Sequence, residues 1–207
     1  SDLAADVSSR IPAKAPESGK HCAVVGAGPA GMLAAFDLLV KGHAVTLYDA
    51  EQEPGGMLRW AIPAFRLPGE VLAAEWAKLK TLGVSFFGGQ TLDRDISLQQ
   101  LNDRHDAVIV AIGCPRPKHL GIEGEDADGV IHALDLLRQV RDNQRPQMGQ
   151  NVVVIGGGDV ALDAAQTALR LGAERVLTVS LESRDILSAS AEALELAERE
   201  GVELDGS

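Results

Sequence analysis

The sequence is poor in the residues that build disulfide frameworks and metal centres. Its two cysteines, Cys22 and Cys114, lie far apart and belong to no CxxC pair, which argues against a disulfide framework and against a zinc or iron–sulfur site. Cys114 is expected to be a small buried residue. The histidines show no metal-ligand spacing, and we expect each to be structural or exposed: His21, His43, His105, His119 and His132. The sequence therefore predicts no metal site.

Positive charge and long apolar runs are also scarce. Nineteen Lys and Arg face 30 Asp and Glu, and the net charge of −11 would repel a nucleic-acid backbone or an anionic membrane surface. No apolar run approaches the roughly 20 residues that span a bilayer. The opening SDLAADVSS is acidic, where a signal peptide would be basic. We expect a soluble cytoplasmic protein that binds neither nucleic acid nor membranes.

What the sequence does contain is one short pattern used twice. Residues 26–31 read GAGPAG and residues 156–161 read GGGDVA, and each follows an apolar run and opens a helical pattern. A strand, a glycine turn and a helix in this order form the start of a βαβ unit that binds dinucleotides. The 207 residues, 45% of them hydrophobic, suffice for two small domains.

The first copy carries the full fingerprint. Gly26 permits a tight turn, Gly28 lets the backbone approach a pyrophosphate, and Gly31 lets helix and strand pack closely. The helix that begins near Pro29 directs its free N–H groups at the phosphates. Asp49 ends the next predicted strand, where a carboxylate accepts hydrogen bonds from ribose hydroxyls. We predict a dinucleotide site here.

The second copy has Gly156, Gly158 and, in the third place, Ala161, a variant that the fingerprint tolerates. Asp159 is expected to cap its helix through N–H groups, because a carboxylate beside a pyrophosphate is unfavourable. Glu182 follows the second strand, where it would accept from a free 2′-hydroxyl and repel a 2′-phosphate. The sequence therefore favours NAD over NADP, although Arg184 is close enough in sequence to reach a phosphate.

The rest of the chain is predicted in outline. Residues 1–20 form an arm or linker, and residues 51–69 form a broken, Pro- and Gly-rich loop of the kind that often holds a ligand. Helices are expected near 70–82, 131–143 and 188–201, and strands near 84–87 and 106–113. No element is assigned to the final VELDGS.

Together, these motifs carry a family resemblance. The stretch EPGGMLRWAIPAFRLP, the strand DAVIVAIG and the turn-helix GGGDVALDAAQTALRLGAERV resemble the FAD and NAD(P)H oxidoreductases of the glutamate synthase small-subunit type. The flavin-reducing part of dihydropyrimidine dehydrogenase belongs to the same group. The resemblance covers residues from about 10 to 203.

The resemblance implies roles for individual residues. Those expected around the FAD pyrophosphate and ribose are Gly26, Gly28, Pro29, Ala30, Gly31 and Asp49. Those expected along the flavin, or at further matching positions, are Gly56, Leu58, Arg66, Leu92 and Gly113, with Trp60 and Ile62 as possible covers of the ring. Those expected at the nicotinamide cofactor are Gly156, Gly158, Asp159, Val160, Ala161 and Glu182. No catalytic side chain is implied, because hydride passes directly between the cofactors.

The sequence departs from the family in three places. Ser180, Leu181 and Glu182 replace the usual Tyr-Arg-Arg, which again favours NADH. The cysteine-rich iron–sulfur segment is absent, and nothing follows Ser207 to complete the first domain. We therefore expect a fragment, or a subunit that another chain completes.

The resulting prediction is an α/β fold with two Rossmann-like, glutathione-reductase-like dinucleotide-binding domains, the second inserted in the first and incomplete at its C-terminus. The FAD domain spans 21–117 and the NAD(P)H domain 118–207. The predicted function is transfer of hydride from NAD(P)H to FAD, and of electrons onward to an iron–sulfur or flavin partner. Two alternatives remain: a non-catalytic nucleotide-binding or assembly subunit, and a single-cofactor dehydrogenase. The second is disfavoured because no Tyr-Lys or Ser-Tyr set accompanies either fingerprint.

Overall fold

The computed structural model describes residues 11–117, 119–183 and 186–206. Arg184, the candidate phosphate ligand, lies outside these residues. The chain forms two compact units. Of the described residues, the first unit includes 11–59 and Ala64–Pro115. The second unit includes Trp60–Pro63, 116–117, 119–183 and 186–206.

The first unit is built on a four-stranded parallel sheet. Its strands are β1 (His21–Val25), β2 (Ala44–Tyr48), β3 (Ser85–Phe87) and β4 (Ala107–Val110), in the order β3-β2-β1-β4. Its helices are α1 (Pro29–Val40), α2 (Met57–Trp60, of which Trp60 belongs to the second unit), α3 (Gly69–Leu82) and α4 (Leu98–Arg104). Residues Cys22–Val25 of β1 are apolar and buried, as is typical of a parallel sheet that is covered on both faces.

Two apolar clusters cover the two sides of β1. Val24 packs with residues of α1 and α3, including Leu39 and Leu79, whereas Ala23 and Val25 pack with Leu101 of α4. The clusters fix β1, and with it the turn that follows β1, between two layers of helix. The position of the first glycine turn is thus determined by the core.

The segment before β1 has no helix or strand, but it is bound to the end of α1. The N–H of Ala15 donates to the carbonyl of Val40 across 2.8 Å, and the N–H of Ser18 donates to that of Gly42 across 3.0 Å. Ile11 packs against the cluster between α1, α3 and the sheet. Residues 11–20 are therefore part of the first unit.

The second unit contains a three-stranded parallel sheet in the order β5-β6-β7. Its strands are β5 (Asn151–Ile155), β6 (Arg175–Ser180) and β7 (Val202–Gly206), and its helices are α5 (Ala133–Arg141), α6 (Asp159–Leu171) and α7 (Ala191–Arg199). α6 and α7 cover one face, where Val152 and Val154 meet their apolar side chains. On the other face, Val153 and Ile155 are 61% and 62% exposed.

The structure confirms the α/β class and the parallel sheets, and it adds three elements to the prediction. One is α4, which begins at a capping box formed by Ser97 and Gln100. The Pro- and Gly-rich loop contains a single helical turn, α2. VELDG, to which no element was assigned, forms β7 and pairs with β6 along its length. Val202 is buried, and Glu203 forms an ion pair with Arg175 on β6 with an Nη2–Oε2 distance of 2.6 Å.

Candidate functional site

The three glycines of the first turn differ in what surrounds them. Gly26 has φ +105°, and a Cβ there would overlap the carbonyl oxygen of Ala111. A Cβ at Gly31 would overlap the carbonyl oxygen of Gly26. A Cβ at Gly28 would meet, among the described residues, the Cα of Gly56 at an ordinary 3.9 Å. The fold itself thus requires the outer two glycines, whereas the middle one leaves open space at the helix tip.

That open space lies at the N-terminus of α1. Gly28 is half-buried, and Pro29 and Ala30 are exposed at the start of the helix. Proline suits the first helical position, where its missing N–H costs no intrahelical bond. The first turn of a helix leaves N–H groups without intrahelical partners, and these favour an anion. The turn therefore offers backbone donors to a phosphate group.

Asp49, at the end of β2, holds the turn and the following loop together. One carboxylate oxygen accepts from the N–H of Ala27 at 2.5 Å, and the other accepts from the N–H of Glu51 at 2.8 Å. The N–H of Gly55 also donates to the carbonyl of Ala27 at 2.8 Å. Each carboxylate oxygen keeps a second lone pair for a ribose hydroxyl.

The loop after β2 brings Gly56 against the turn. Gly56 has φ +52°, and a Cβ there would lie 2.8 Å from the Cα of Gly28. Leu58 of α2 packs against the core. Of the predicted residues, the structure therefore brings the following into one place: Gly26, Gly28, Pro29, Ala30, Gly31, Asp49 and Gly56.

The other residues predicted near the flavin have varied positions. Leu92 packs against the cluster of Ala23, Val25 and Leu101, which leaves its backbone as the part that could contact a cofactor. Arg66 is exposed in the segment before α3, and Gly113 is exposed after β4. In the second unit, the ring of Trp60 lies beneath the guanidinium of Arg138, with 5.0 Å between Cζ and the ring centroid.

The second glycine turn is partly covered by its own chain. Gly156 has φ +140°, and a Cβ at Gly157 would overlap a methyl group of Leu187. The N–H of Ala189 donates to the carbonyl of Gly157 at 3.1 Å. A Cβ at Gly158 would lie 3.2 Å from the hydroxyl of Ser188. The segment that follows β6 therefore packs on this turn.

Asp159 begins α6, and its carboxylate bonds to the first residues of a different helix. Its carboxylate accepts from the N–H and the hydroxyl of Ser190, both at 3.2 Å, and Ser190 is the N-cap of α7. The expected capping of its own helix by this carboxylate stays a prediction. The bond joins the starts of α6 and α7, while Ala161 is buried beneath the turn and Val160 is 47% exposed.

Glu182 lies where the cofactor-selecting residue was predicted, just beyond β6. The hydroxyl of Ser180 donates to its carbonyl at 2.8 Å, which orders the backbone there, and its side chain is exposed. Leu181 is 96% exposed. In the described part of the chain, the segment after β6 thus presents a carboxylate rather than a cation at this position.

The sequence prediction missed two features. Cys114 is exposed and not buried, because it follows the last residues of β4 into an exposed segment. His119, Glu125 and His132 lie together, with one ligand atom of each within 4.8 Å of the others. No sequence spacing indicated this group, because the loop conformation between β4 and α5 creates it.

Within the described residues, no helix combines the length and the apolarity that a membrane span requires.

Comparison with known proteins identifies relatives over nearly the whole chain. The NADP(+)-dependent formate dehydrogenase subunit beta of Moorella thermoacetica is 40% identical over 89% of this chain and 27% of its own length. The glutamate synthase [NADPH] small chain of Escherichia coli is 35% identical over 90% and 42%, respectively. The NAD-dependent dihydropyrimidine dehydrogenase subunit PreT of the same species is 38% identical over 88% and 44%. The chain thus spans less than half the length of these relatives, and the resemblance seen in the sequence is confirmed.

A solved structure and a family profile support the same relationship. The Mycobacterium tuberculosis oxidoreductase FprA in complex with NADPH superposes with a TM-score of 0.75 and 25% identity, over 89% of this chain and 48% of FprA. The sequence profile described as pyridine nucleotide-disulphide oxidoreductase matches residues 20–205. Each of the two parallel sheets contains one strand that leads through a glycine turn into a helix. With this fold and this profile match, the chain belongs to the pyridine nucleotide-disulphide oxidoreductases.

Proposed function

We propose that the chain is the FAD- and nicotinamide-binding part of an oxidoreductase that moves hydride from NAD(P)H to FAD. FAD would bind at the first turn and the nicotinamide dinucleotide at the second. Electrons would pass onward to a partner that carries an iron–sulfur centre or a second flavin. The observation that carries the proposal is the open space at Gly28, bordered by glycines that the fold requires for packing.

The residues around this space fit a dinucleotide. A side chain at Gly56 would collide with the backbone of Gly28, so the floor of the site consists of bare backbone that a pyrophosphate can approach. The exposed tip of α1 supplies donors, and Asp49 supplies acceptors for the ribose. When bound, FAD supplies a ring that accepts hydride and releases electrons. The protein residues bind and orient both nucleotides, and no side chain needs to move a proton.

Of the two nicotinamide cofactors, we propose NADH as the preferred one. The exposed carboxylate of Glu182 follows β6, where it would accept from a 2′-hydroxyl and repel a 2′-phosphate. The relatives are named for both cofactors: PreT for NAD, and the glutamate synthase small chain for NADPH. Glu182 is therefore the residue on which this preference depends.

The alternative function is a nucleotide-binding or assembly subunit without turnover. The uncovered face of the β5–β7 sheet favours it, because Val153 and Ile155 are more than half exposed on a parallel sheet, a type usually covered on both faces. Several relatives are likewise named as subunits.

Flavin absorbance and its response to reductant separate these functions. The purified chain, supplied with FAD, should retain the yellow cofactor, and NADH without air should bleach it. Retention without bleaching would favour the assembly role. Gly28→Val should abolish retention, because the side chain would fill the space meant for the pyrophosphate.

A matched control is Gly69→Val at the start of α3, where a Cβ meets nothing within 4 Å in the described part of the chain. This variant should bind FAD as the parent does. A colourless parent, or a Gly28→Val protein that stays fully yellow, would refute FAD binding at the first turn.

A further inference from the structure

A group of metal-ligating side chains lies outside both glycine turns, in the second unit between β4 and α5. His119, Glu125 and His132 each offer one ligand atom, and these atoms all lie within 4.8 Å of one another. Two imidazoles and one carboxylate form a ligand set typical of zinc and other first-row divalent metals. Neither proposed nucleotide site includes these residues.

Glu125 is held in place by the loop that it closes. Its Oε1 accepts from the N–H of Leu120 at 2.7 Å, and its Oε2 accepts from the N–H of Gly121 at 2.8 Å. Each oxygen retains a second lone pair. Glu125 is therefore an oriented carboxylate, and only 11% of its side chain is exposed.

The two imidazoles lie near this carboxylate at distances longer than good hydrogen bonds. His119 Nδ1 is 3.4 Å from Glu125 Oε1, beyond the usual range for N–H···O bonds. The two rings are perpendicular, with centroids 5.1 Å apart. His132 occupies the N-cap position of α5, but its side chain makes no capping bond. One ring nitrogen of each histidine therefore lies within 4.8 Å of a carboxylate oxygen of Glu125.

We propose that His119, Glu125 and His132 bind one divalent transition-metal ion, with Zn²⁺ as the representative, and that water completes the coordination. In a tetrahedral zinc site with bonds of about 2.0–2.1 Å, ligand atoms lie about 3.3 Å apart. The group must therefore contract by up to about 1.5 Å on binding, by comparison with its 4.8 Å spread. The side chain of His119 can supply this movement because 68% of it is exposed.

Such an ion would attach the loop to the beginning of α5. His119 and Glu125 lie in the loop, and His132 is the residue immediately before the helix. Because the metal binds the folded loop and not an extended chain, its free energy of binding stabilises this part of the second unit. The ion is thus structural, and neither nucleotide is needed for it to bind.

Zinc titration of chain prepared without a histidine tag and freed of metal by chelator tests the proposal. Calorimetry should show one saturable Zn²⁺ site per chain, and Zn²⁺ should raise the melting temperature. His119→Ala and His132→Ala should each weaken binding by at least about tenfold, since each removes one of three ligands. His43→Ala is the matched control: this half-buried histidine of the first unit bonds to Ser18, and its replacement should leave the zinc affinity unchanged.

Two results would overturn the proposal. One is the absence of a saturable Zn²⁺ site, and the other is an affinity that neither histidine substitution alters. If His132→Ala perturbs the start of α5, as circular dichroism would reveal, the His119→Ala variant still tests the proposal, because that side chain is exposed. Co²⁺ adds an independent readout, because a nitrogen- and oxygen-ligated ion in a protein site should show visible absorption bands that both histidine variants lose.

Discussion

The carboxylate of Asp49 accepts a hydrogen bond from the backbone N–H of Ala27 at 2.5 Å, which joins the end of β2 to the turn after β1. Its other oxygen accepts from the N–H of Glu51 at 2.8 Å. Asp49, which the sequence predicts as a ribose acceptor, is thus also a structural brace for the first glycine turn. The proposed ribose contact is compatible with this bracing, because each carboxylate oxygen can accept more than one hydrogen bond.

Asp49→Ala should lower the free energy of unfolding by about 1–3 kcal/mol, because the N–H of buried Ala27 loses its acceptor. Urea denaturation followed by circular dichroism measures the change. Asp37→Ala, at an exposed position on α1, should change the same quantity by less than about 0.5 kcal/mol. Equal stability of the two variants would show that the brace contributes nothing.

Gly31→Ala and Gly28→Ala should behave differently although they lie in the same turn. The new methyl group at position 31 would overlap the carbonyl oxygen of Gly26, so we expect a loss of more than about 4 kcal/mol or failure to fold. At position 28 the methyl group meets the Cα of Gly56 at 3.9 Å, and we expect a change below about 1 kcal/mol. Urea unfolding of both proteins checks this, and similar losses would contradict the contrast.

Glu182→Arg should raise kcat/KM for NADPH relative to NADH, since a guanidinium would replace the carboxylate beside the 2′ position. A change of at least about tenfold in the ratio is expected, equivalent to about 1.4 kcal/mol. Glu174→Arg makes the same change of charge at the opposite end of β6 and should leave the ratio as it is. If both substitutions shifted the ratio equally, the effect would come from overall charge and not from position 182.

The ion pair between Arg170 and Glu200 should make stability depend on pH. Arg170 lowers the pKa of Glu200, chiefly through hydrogen bonds such as Nη2–Oε1 at 2.6 Å. In the unfolded chain the carboxyl group titrates near its ordinary value of about 4.3. The pair therefore stabilises the fold fully above that pH, and this stabilisation is lost as the pH falls through the lower pKa of the folded state.

Glu200→Gln should accordingly cost up to about 1 kcal/mol at neutral pH and almost nothing near pH 2. Urea unfolding at several pH values gives the difference between parent and variant. Glu17→Gln, in the exposed segment before β1, should show little cost at any pH. A Glu200→Gln cost that stayed constant down to pH 2 would mean that packing, and not charge, is responsible.

The parts of the fold that follow from short-range sequence patterns could be predicted. β1, the glycine turn and α1 are encoded within residues 21–40, where an apolar run, three spaced glycines and Pro29 all indicate the same structure. The end of α3 at Gly83, which has φ +93°, is equally local. Such elements need no distant contact to specify them.

Apart from α4, whose start is marked locally by the Ser97–Gln100 capping box, the features that went unpredicted depend on distant contacts. β7 has only two apolar side chains, Val202 and Leu204, and its acidic residues make it look like a tail. Pairing with β6 and the Arg175–Glu203 ion pair turn it into a strand. The group of His119, Glu125 and His132 likewise arises from loop hydrogen bonds that no spacing rule contains. The domain boundaries and the individual cofactor contacts remain predictions.

The three glycines of the first turn differ in how strictly the fold requires them, and this difference affects how such a chain can evolve. The outer glycines are constrained by their neighbours' backbones, whereas the middle one faces open space at the helix tip. If FAD binds at this turn as proposed, a single replacement at the middle position could abolish FAD binding while the fold survives. Colourless descendants of this chain would then be well-folded proteins available for new roles, and the loss of a prosthetic group would not mark them as decaying.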